Sequence, residues 1–420
     1  LYFVKKTASF ETMRKNGPHK DRSRHADQRT AGKTWLDIVM AEYLKTRSPF
    51  CYSKNMPKVI VGMSGGVDSS IAAYLLKQQG FTVEGVSFIL WEARDRSSFT
   101  TCCSLDATNA AAKTAESLGI AHSAIDVRQE FIEKVIEPFV DSYTQGMTPN
   151  PCILCNRHIK FPSLFREADL RGADYVATGH YARVEEEGKA GTACRSLKER
   201  DLFLKKGVDP SKDQSYVLYV LKKAELERLK FPLGNYRKVD IRQIARSLNL
   251  DAANRPESQE ICFVEDKNYF KFIEKLSPTT REPGPILDSK GNVLGMHKGI
   301  YRYTIGQRKG LGISSPEPYY VMKVDTIKNA VYVGSQEEAK IKEIFVGFLN
   351  MMREPQSSLF RATVKVRSMM EDTPATLEVF DAGIRVIFDE PQWPPAPGQS
   401  AVFYDGDKVI GGGIIERCIT

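Results

Sequence analysis

From Lys58 onward the chain alternates short apolar runs with longer amphipathic ones. Lys58-Val-Ile-Val-Gly62 predicts a β-branched strand, followed by a Gly/Ser turn and an apolar-periodic helix from Val67 to Gln79 that ends at Gly80. Thr82 to Phe88 predicts a second strand, a polar loop leads to an alanine-rich helix from Leu105 to Leu118, and His122 to Asp126 reads as a third strand. Helices over Glu130 to Tyr143 and Ser163 to Arg171 precede a strand at Tyr175 to Thr178. Strands alternating with helices of this length predict an α/β fold with a mostly parallel sheet covered on both faces. After about Asp266 the texture changes, with Gly, Pro, Tyr and Val frequent. Tyr319 to Val324, Ala330 to Val333, Phe360 to Val366, Ala375 to Phe380, Ile384 to Phe388 and Ala401 to Tyr404 then read as short strands at barrel-like spacing. The expected layout is a basic N-terminal extension (1–56), a Rossmann-like parallel-sheet domain (57–266), a small mixed linking domain (267–325) and a C-terminal β-barrel (326–420).

Length supports this division, because 420 residues are too many for one hydrophobic core. Apolar residues make up 42% and charged residues 27%, the balance of a soluble globular protein. No run approaches the roughly 18 to 20 apolar residues of a membrane span, and the opening lacks the apolar core of a secretory signal. The net charge of +8 is concentrated at one end: Leu1 to Met56 holds 12 Lys and Arg against 5 Asp and Glu, which leaves the body close to neutral. Nucleic-acid affinity would therefore come from local patches such as Lys205, Lys206 and Lys212. The N-terminal segment reads as a disordered arm, an organellar presequence or sequence upstream of a start at Met56, and the last is preferred. Its acidic residues Glu11, Asp21, Asp27, Asp37 and Glu42 count against a transit peptide. A cytoplasmic location is expected, or a mitochondrial one if the arm is a presequence.

Eight cysteines are too few for a disulfide scaffold, so a reducing compartment is expected. Cys102-Cys103 and Cys152-x-x-Cys155 invite a zinc reading. A structural zinc site needs two such pairs at suitable spacing, and no metal centre is expected. Cys51, Cys194 and Cys418 have no chemical context.

The most informative stretch is Gly62-Met63-Ser64-Gly65-Gly66-Val67-Asp68-Ser69, set between a strand and a helix. Gly65 and Gly66 permit a tight turn in which backbone N–H groups converge on phosphate. Ser64 and Ser69 add hydroxyls, and the helix contributes its positive end. Asp68 would be unwelcome in a phosphate cradle unless a cation sits there, so it is expected to position Mg²⁺ or departing pyrophosphate. The stretch is neither a Walker A loop nor a dinucleotide turn, and without a Walker lysine it suits attack at the α-phosphate of ATP. Ligands of open α/β sheets lie beyond the strands' C-terminal ends. The loop Thr178-Gly179-His180, which follows a strand, should then form a second wall, with Gly179 close to the nucleotide, Phe88 and Trp91 near the base, and His180 either part of the wall or merely structural.

Two cysteines complete the chemistry. Pro149-Asn150-Pro151-Cys152-Ile-Leu-Cys155 is a proline-stiffened mount for a thiol, and Ser258-Gln-Glu-Ile-Cys262-Phe lies far along the chain. Taken singly, each is more often a small buried hydrophobe than a catalyst. An ATP loop changes that balance, because adenylating an oxygen makes its carbon electrophilic toward a sulfur nucleophile. One cysteine can deliver sulfur as a persulfide while the other closes a disulfide or attacks the ring first.

The chain resembles the tRNA-specific 2-thiouridylases of the PP-loop ATP pyrophosphatase group, from about Pro57 to Ile415. The loop Ser64-Gly-Gly-Val-Asp-Ser69 fits several relatives, including amide-forming synthetases and lysidine-forming ligases. More specific are Asn150-Pro-Cys-Ile-Leu-Cys155-Asn-Arg-His-Ile-Lys-Phe161, Ala177-Thr-Gly-His-Tyr181, Lys212-Asp-Gln-Ser-Tyr216, Ser258-Gln-Glu-Ile-Cys262-Phe, Gly295-Met-His-Lys-Gly299, Thr304-Ile-Gly-Gln-Arg-Lys-Gly-Leu311 and Val402-Phe-Tyr-Asp-Gly406.

The resemblance implies ATP-dependent thiolation at C2 of the wobble uridine (position 34) in tRNAs for Lys, Glu and Gln. It implies that Cys262 carries a persulfide supplied by a sulfur-donor protein, and that Cys155 is its partner in a transient disulfide. Gly62 to Ser69, Phe88 and Gly179 match ATP-contacting positions. Asn150, Pro151 and Cys152 match the stretch beside the target base, and Lys212, Asp213, Gln214, Arg367 and Ser368 match tRNA-contacting positions. This chain departs from the pattern at Cys152, where some relatives carry Asp, at Phe88, commonly Met, and at Arg367-Ser368, often Arg-Tyr. A monomer acting on tRNA is expected. Read from the residues alone, the tRNA argument is modest. It rests on Lys205, Lys206, Lys212, Arg302, Arg308 and Lys309 set among Tyr216, Tyr301 and Tyr303, with the base leaving an unpaired loop to reach the thiol.

Overall fold

The computed structural model describes residues 56–91, 105–186, 201–254, 261–264, 268–277 and 282–419. The basic N-terminal segment, Cys51, Cys102, Cys103, Cys194 and Ser258 to Glu260 lie outside these residues.

Seven strands come first: β1 (Lys58–Gly62), β2 (Thr82–Ile89), β3 (Ala121–Asp126), β4 (Tyr175–Thr178), β5 (Ala182–Glu186), β6 (Leu202–Lys206) and β7 (Leu229–Lys230). The principal helices are α1 (Val67–Gln78), α2 (Leu105–Leu118), α3 (Phe161–Leu170), α4 (Lys238–Ser247) and α5 (Tyr269–Leu276). Five of the strands form a parallel sheet in the order β3-β2-β1-β4-β7. Val59, Ile60 and Val61 in central β1 are fully buried, as a strand covered on both faces requires. Ile71, Ala72, Leu75 and Leu76 put the apolar face of α1 into the interior, and α3 lays Leu164 and Ala168 into the cluster containing Ile60 and Val176. The order of the sheet places the C-terminal ends of β1 and β4 side by side, so the loops at 63–66 and 179–181 share one rim.

The remaining strands are β8 (Gly284–Leu287), β9 (Val293–His297), β10 (Tyr320–Asp325), β11 (Ala330–Gly334), β12 (Ile341–Met351), β13 (Leu359–Lys365), β14 (Thr373–Phe380), β15 (Gly383–Gln392), β16 (Ser400–Asp405) and β17 (Lys408–Ile419). A small mixed sheet runs β10-β11-β8-β9. The last six strands run β12-β15-β14-β13-β16-β17, and the β12–β17 pairing closes them into an antiparallel barrel. Ile344, Leu377, Val386, Phe388 and Phe403 fill its interior. The α/β domain, small mixed sheet and terminal barrel follow the expected class.

One connection departs from the linear reading. The β5–β6 hairpin, which follows β4 in sequence, pairs with β17 and so extends the barrel sheet. Buried tyrosines secure this junction: Tyr216 donates to the Ser400 carbonyl at 2.8 Å, and the Tyr219 and Ser400 hydroxyls lie 2.9 Å apart. No helix among the described residues is long and apolar enough to cross a membrane.

Candidate active site

The turn between β1 and α1 is held by its own serines. The Ser64 amide donates to Ser69 Oγ at 3.1 Å, and Ser69 Oγ donates to the Gly66 carbonyl at 3.1 Å. Gly65 has φ +71°, and a Cβ there would collide with the Ala107 carbonyl. No side chain caps α1 at Gly66, and an uncapped helix start favours an anion. Met63, Val67 and Ser69 are buried supports, whereas Ser64, Gly66 and Asp68 face outward. Gly179 presses on this turn from β4: a Cβ would sit 2.7 Å from both the Asp68 carbonyl carbon and the Ser69 nitrogen.

Asp68 is held by two residues that sequence reasoning missed. Lys238 Nζ donates to Oδ1 at 2.7 Å and to Oδ2 at 2.6 Å, and the Tyr181 hydroxyl donates to Oδ1 at 2.7 Å. The Lys238 side chain is 9% exposed and that of Asp68 33%, so the carboxylate still has surface to offer a ligand. The lysine absent from the loop thus arrives from the first turn of α4, where Asp209 accepts the Lys238 amide at 3.0 Å. One signal was available: a cation at a helix N-terminus opposes the helix dipole and calls for a compensating anion. His180 turns inward instead. It is buried, stacks on Phe161 and lies 2.7 Å from Thr178 Oγ1, and burial pushes its pKa well down, which makes it a neutral packing residue.

The second element is the thiol pair. Asn150 caps the turn Pro151–Cys155, its Oδ1 accepting the Cys152 amide at 3.1 Å and the Ile153 amide at 3.4 Å, with Pro151 at the first helical position. A π-type turn, Asn156–Lys160, follows. Cys155 is buried, Cys152 is exposed and Cys262 is half-buried. None of the three is in a disulfide. Cys155 belongs to an apolar cluster with Leu90, Phe139, Phe263 and Tyr301, and Cys262, Phe88 and Trp91 pack against it. Cys155 and Cys262, 107 positions apart in sequence, thus border one apolar cluster, which Phe88 also meets. On the following turn, burial lowers the His158 pKa, joined by the charges of Arg157 and Lys134.

Residues 57–266 match the tRNA methyl transferase HUP domain, 271–335 the tRNA methyl transferase PRC-barrel domain and 341–415 the aminomethyltransferase beta-barrel domain. The tRNA-specific 2-thiouridylase MnmA 2 of Thermoanaerobacter sp. (strain X514) is 47% identical over 365 residues, covering 86% of this chain and 98% of its own. The chain belongs to the tRNA-specific 2-thiouridylase family. The MnmA of Clostridioides difficile (strain 630) is 45% identical over 369 residues, with 86% and 99% covered. Among solved structures, a 4-thiouridine synthetase–RNA complex with bound ATP aligns over 53% of this chain and 50% of its own at 17% identity and TM-score 0.34. The assignment rests on the sequence relatives alone.

In this 2-thiouridylase, several residues expected to meet tRNA are engaged with protein. Asp213 is half-buried, accepting the Gly207 and Ser215 amides at 3.0 and 3.1 Å and the Ser215 hydroxyl at 2.8 Å. Gln214 is bonded to Tyr181 through both backbone and side chain. Lys212 is half-buried at the mouth of the same turn. Arg367 donates to the carbonyls of Ile305 at 2.8 Å and Pro394 at 3.0 Å, joining the small mixed sheet region to the barrel, and burial lowers its pKa. Ser368 beside it is half-buried.

The basic patch read from sequence is largely neutralised. Lys205 pairs with Glu185 at 2.8 Å and Lys206 with Asp372 at 2.6 Å, while Arg302 pairs with Glu274. Tyr216, Tyr301 and Tyr303 are buried and offer no stacking platform, because they serve the core. Arg308 and Lys309 are exposed. Burial pushes the Cys418 thiol up to about 11, consistent with a packing residue.

Proposed function

We propose that this enzyme replaces the C2 oxygen of the wobble uridine of tRNA with sulfur, in two linked steps. In the first, uridine O2 attacks the α-phosphorus of ATP held at the Gly62–Ser69 loop, and pyrophosphate leaves as the N3 proton is lost. In the second, a persulfide on Cys262 attacks C2 through its outer sulfur, and AMP departs with the original oxygen. The Cys155 thiolate then attacks Cys262 Sγ. The S–S electron pair moves to the sulfur on C2, a proton returns to N3, and a Cys155–Cys262 disulfide forms. An external thiol reductant must supply two electrons before the next turnover.

The observation that carries this reading is the packing of Cys262 against the cluster containing Cys155, with Phe88 at its edge. ATP fits the uncapped start of α1. Mg²⁺ fits only as an ion carried by the phosphates: Asp68 is the loop's single carboxylate, and no group of three or more His, Cys, Asp or Glu among the described residues could hold a metal alone. Its chemistry would be charge neutralisation on the departing pyrophosphate, with Asp68 as its protein contact. The relatives' name supports tRNA as substrate. Anticodon arms of tRNAs for Lys, Glu and Gln, a separate sulfur-donor protein, a monomeric state and a cytoplasmic site complete the proposal.

The test is nucleoside mass spectrometry on unmodified tRNA incubated with ATP, Mg²⁺ and a persulfide source. Wild type should yield 2-thiouridine, and Cys155→Ser and Cys262→Ser should yield none. Full activity in either variant would defeat the reading.

A further inference from the structure

Tyr181 makes contacts in two directions that the proposed chemistry does not itself require. Its hydroxyl donates to Asp68 Oδ1 at 2.7 Å. Its backbone is bracketed by one residue: the Tyr181 amide donates to Gln214 Oε1 at 3.0 Å, and the Gln214 amide donates to the Tyr181 carbonyl at 2.9 Å. The ring is 2% exposed and lies beneath the Lys238 ammonium, whose Nζ is 5.6 Å from its centroid. One residue, through its hydroxyl on one side and its backbone on the other, therefore joins the nucleotide loop to the 212–214 turn.

Both ends of that link are fixed. On the nucleotide side, the backbone at Asp68 and Ser69 is packed so closely on Gly179 that no Cβ fits between them. On the other side, Asp213 is locked by the Gly207 and Ser215 amides, and Ser215 Oγ lies 3.1 Å from the Tyr404 hydroxyl of β16. Both ends of the link are thus bonded or closely packed. Connected polar chains of this kind favour one arrangement of the groups they join.

Resting on the reading that this enzyme adenylates tRNA, we infer that Tyr181 is a positioning residue that sets Asp68 in register with the 212–214 turn. Held in that register, the carboxylate is aligned for pyrophosphate departure. Tyr181 touches neither reacting atom. It acts through Asp68 on one side and Gln214 on the other, so its effect belongs to turnover and not to affinity.

The experiment is a double-mutant cycle on the full-length enzyme with Tyr181→Phe and Gln214→Leu. It reads tRNA-dependent pyrophosphate release, the Kd of ATP and of unmodified tRNA, melting temperature and 2-thiouridine formation. Tyr181→Phe should lower kcat about tenfold or more, while both Kd values stay within about twofold and melting is unchanged. The double variant should be no slower than the slower single variant, because both changes break one connection. Turnover of Tyr181→Phe within about twofold of wild type overturns the inference, as does a loss confined to ATP affinity or a fully additive cycle. If Tyr181→Phe fails to fold, wild-type kcat in Gln214→Leu overturns it alone. Wild type that releases pyrophosphate but forms no 2-thiouridine defeats the function reading and takes this inference with it, whereas active wild type with unimpaired variants defeats only this inference.

Discussion

The Lys238 ammonium reaches both carboxylate oxygens of Asp68, at 2.7 and 2.6 Å, across 170 positions of sequence. This pair supplies the positive charge that the Gly/Ser turn lacks and holds the acidic residue of that turn in place. Removing one member leaves the other partly buried and uncompensated. Lys238→Met should cost on the order of 1–3 kcal/mol of stability in urea denaturation, less than a fully buried pair would, because Asp68 is partly exposed. Asp68→Asn should abolish AMP and pyrophosphate release while tRNA affinity stays nearly intact, as read by a pyrophosphate assay beside filter binding. Undiminished pyrophosphate production in Asp68→Asn would rule out the role assigned to the carboxylate.

Gly179 fixes the same loop by close approach. Gly179→Ala would place a methyl group 2.7 Å from backbone atoms of Asp68 and Ser69, and backbone cannot swing aside. ATP affinity should fall about tenfold or more by calorimetry, with the far-ultraviolet circular dichroism unchanged.

A pH dependence follows from Glu84, which accepts from Lys58 at 2.7 Å and lies 3.5 Å from Arg171. The Lys58 hydrogen bond, joined by the Arg171 guanidinium, holds its carboxyl below the ordinary value despite burial. A depressed carboxyl stabilises the fold above its unfolded pKa and loses that contribution as pH falls toward the folded value. Glu84→Gln should therefore cost about 0.5–1 kcal/mol at pH 7, and the gap to wild type should shrink below about pH 4. A gap that widens in acid would contradict the sign.

The legible part of the molecule was the part written locally. Val59 to Val61 announced a central strand by being apolar without interruption, and the Gly/Ser turn after it announced a ligand by combining tight geometry with a helix start. The partnership of Lys238 and Tyr181 with Asp68 was not legible, since each meets it through the order of strands and helices, which no local period encodes; only the opposed helix dipole at Lys238 hinted that it needed an anion. The β5–β6 hairpin was hidden for the same reason: its pairing partner β17 lies some 200 residues downstream. Lys205 and Lys206 misled in the opposite way, since a sequence shows charges but not the Glu185 and Asp372 that neutralise them.

The cysteines should separate by environment. Among those described, exposed Cys152 should react first with iodoacetamide at pH 8, and Cys418, with its thiol pushed up to about 11, should react last, as read by peptide mapping. Cys418→Ser should thiolate tRNA within about twofold of wild type.

The most direct test of the central claim is one turnover of enzyme preloaded with heavy-isotope persulfide, given ATP and unmodified tRNA, then quenched without reductant. The account predicts heavy 2-thiouridine together with a matching quantity of a peptide pair joined through Cys155 and Cys262. Heavy 2-thiouridine formed at full yield while those two residues remain unlinked would contradict it.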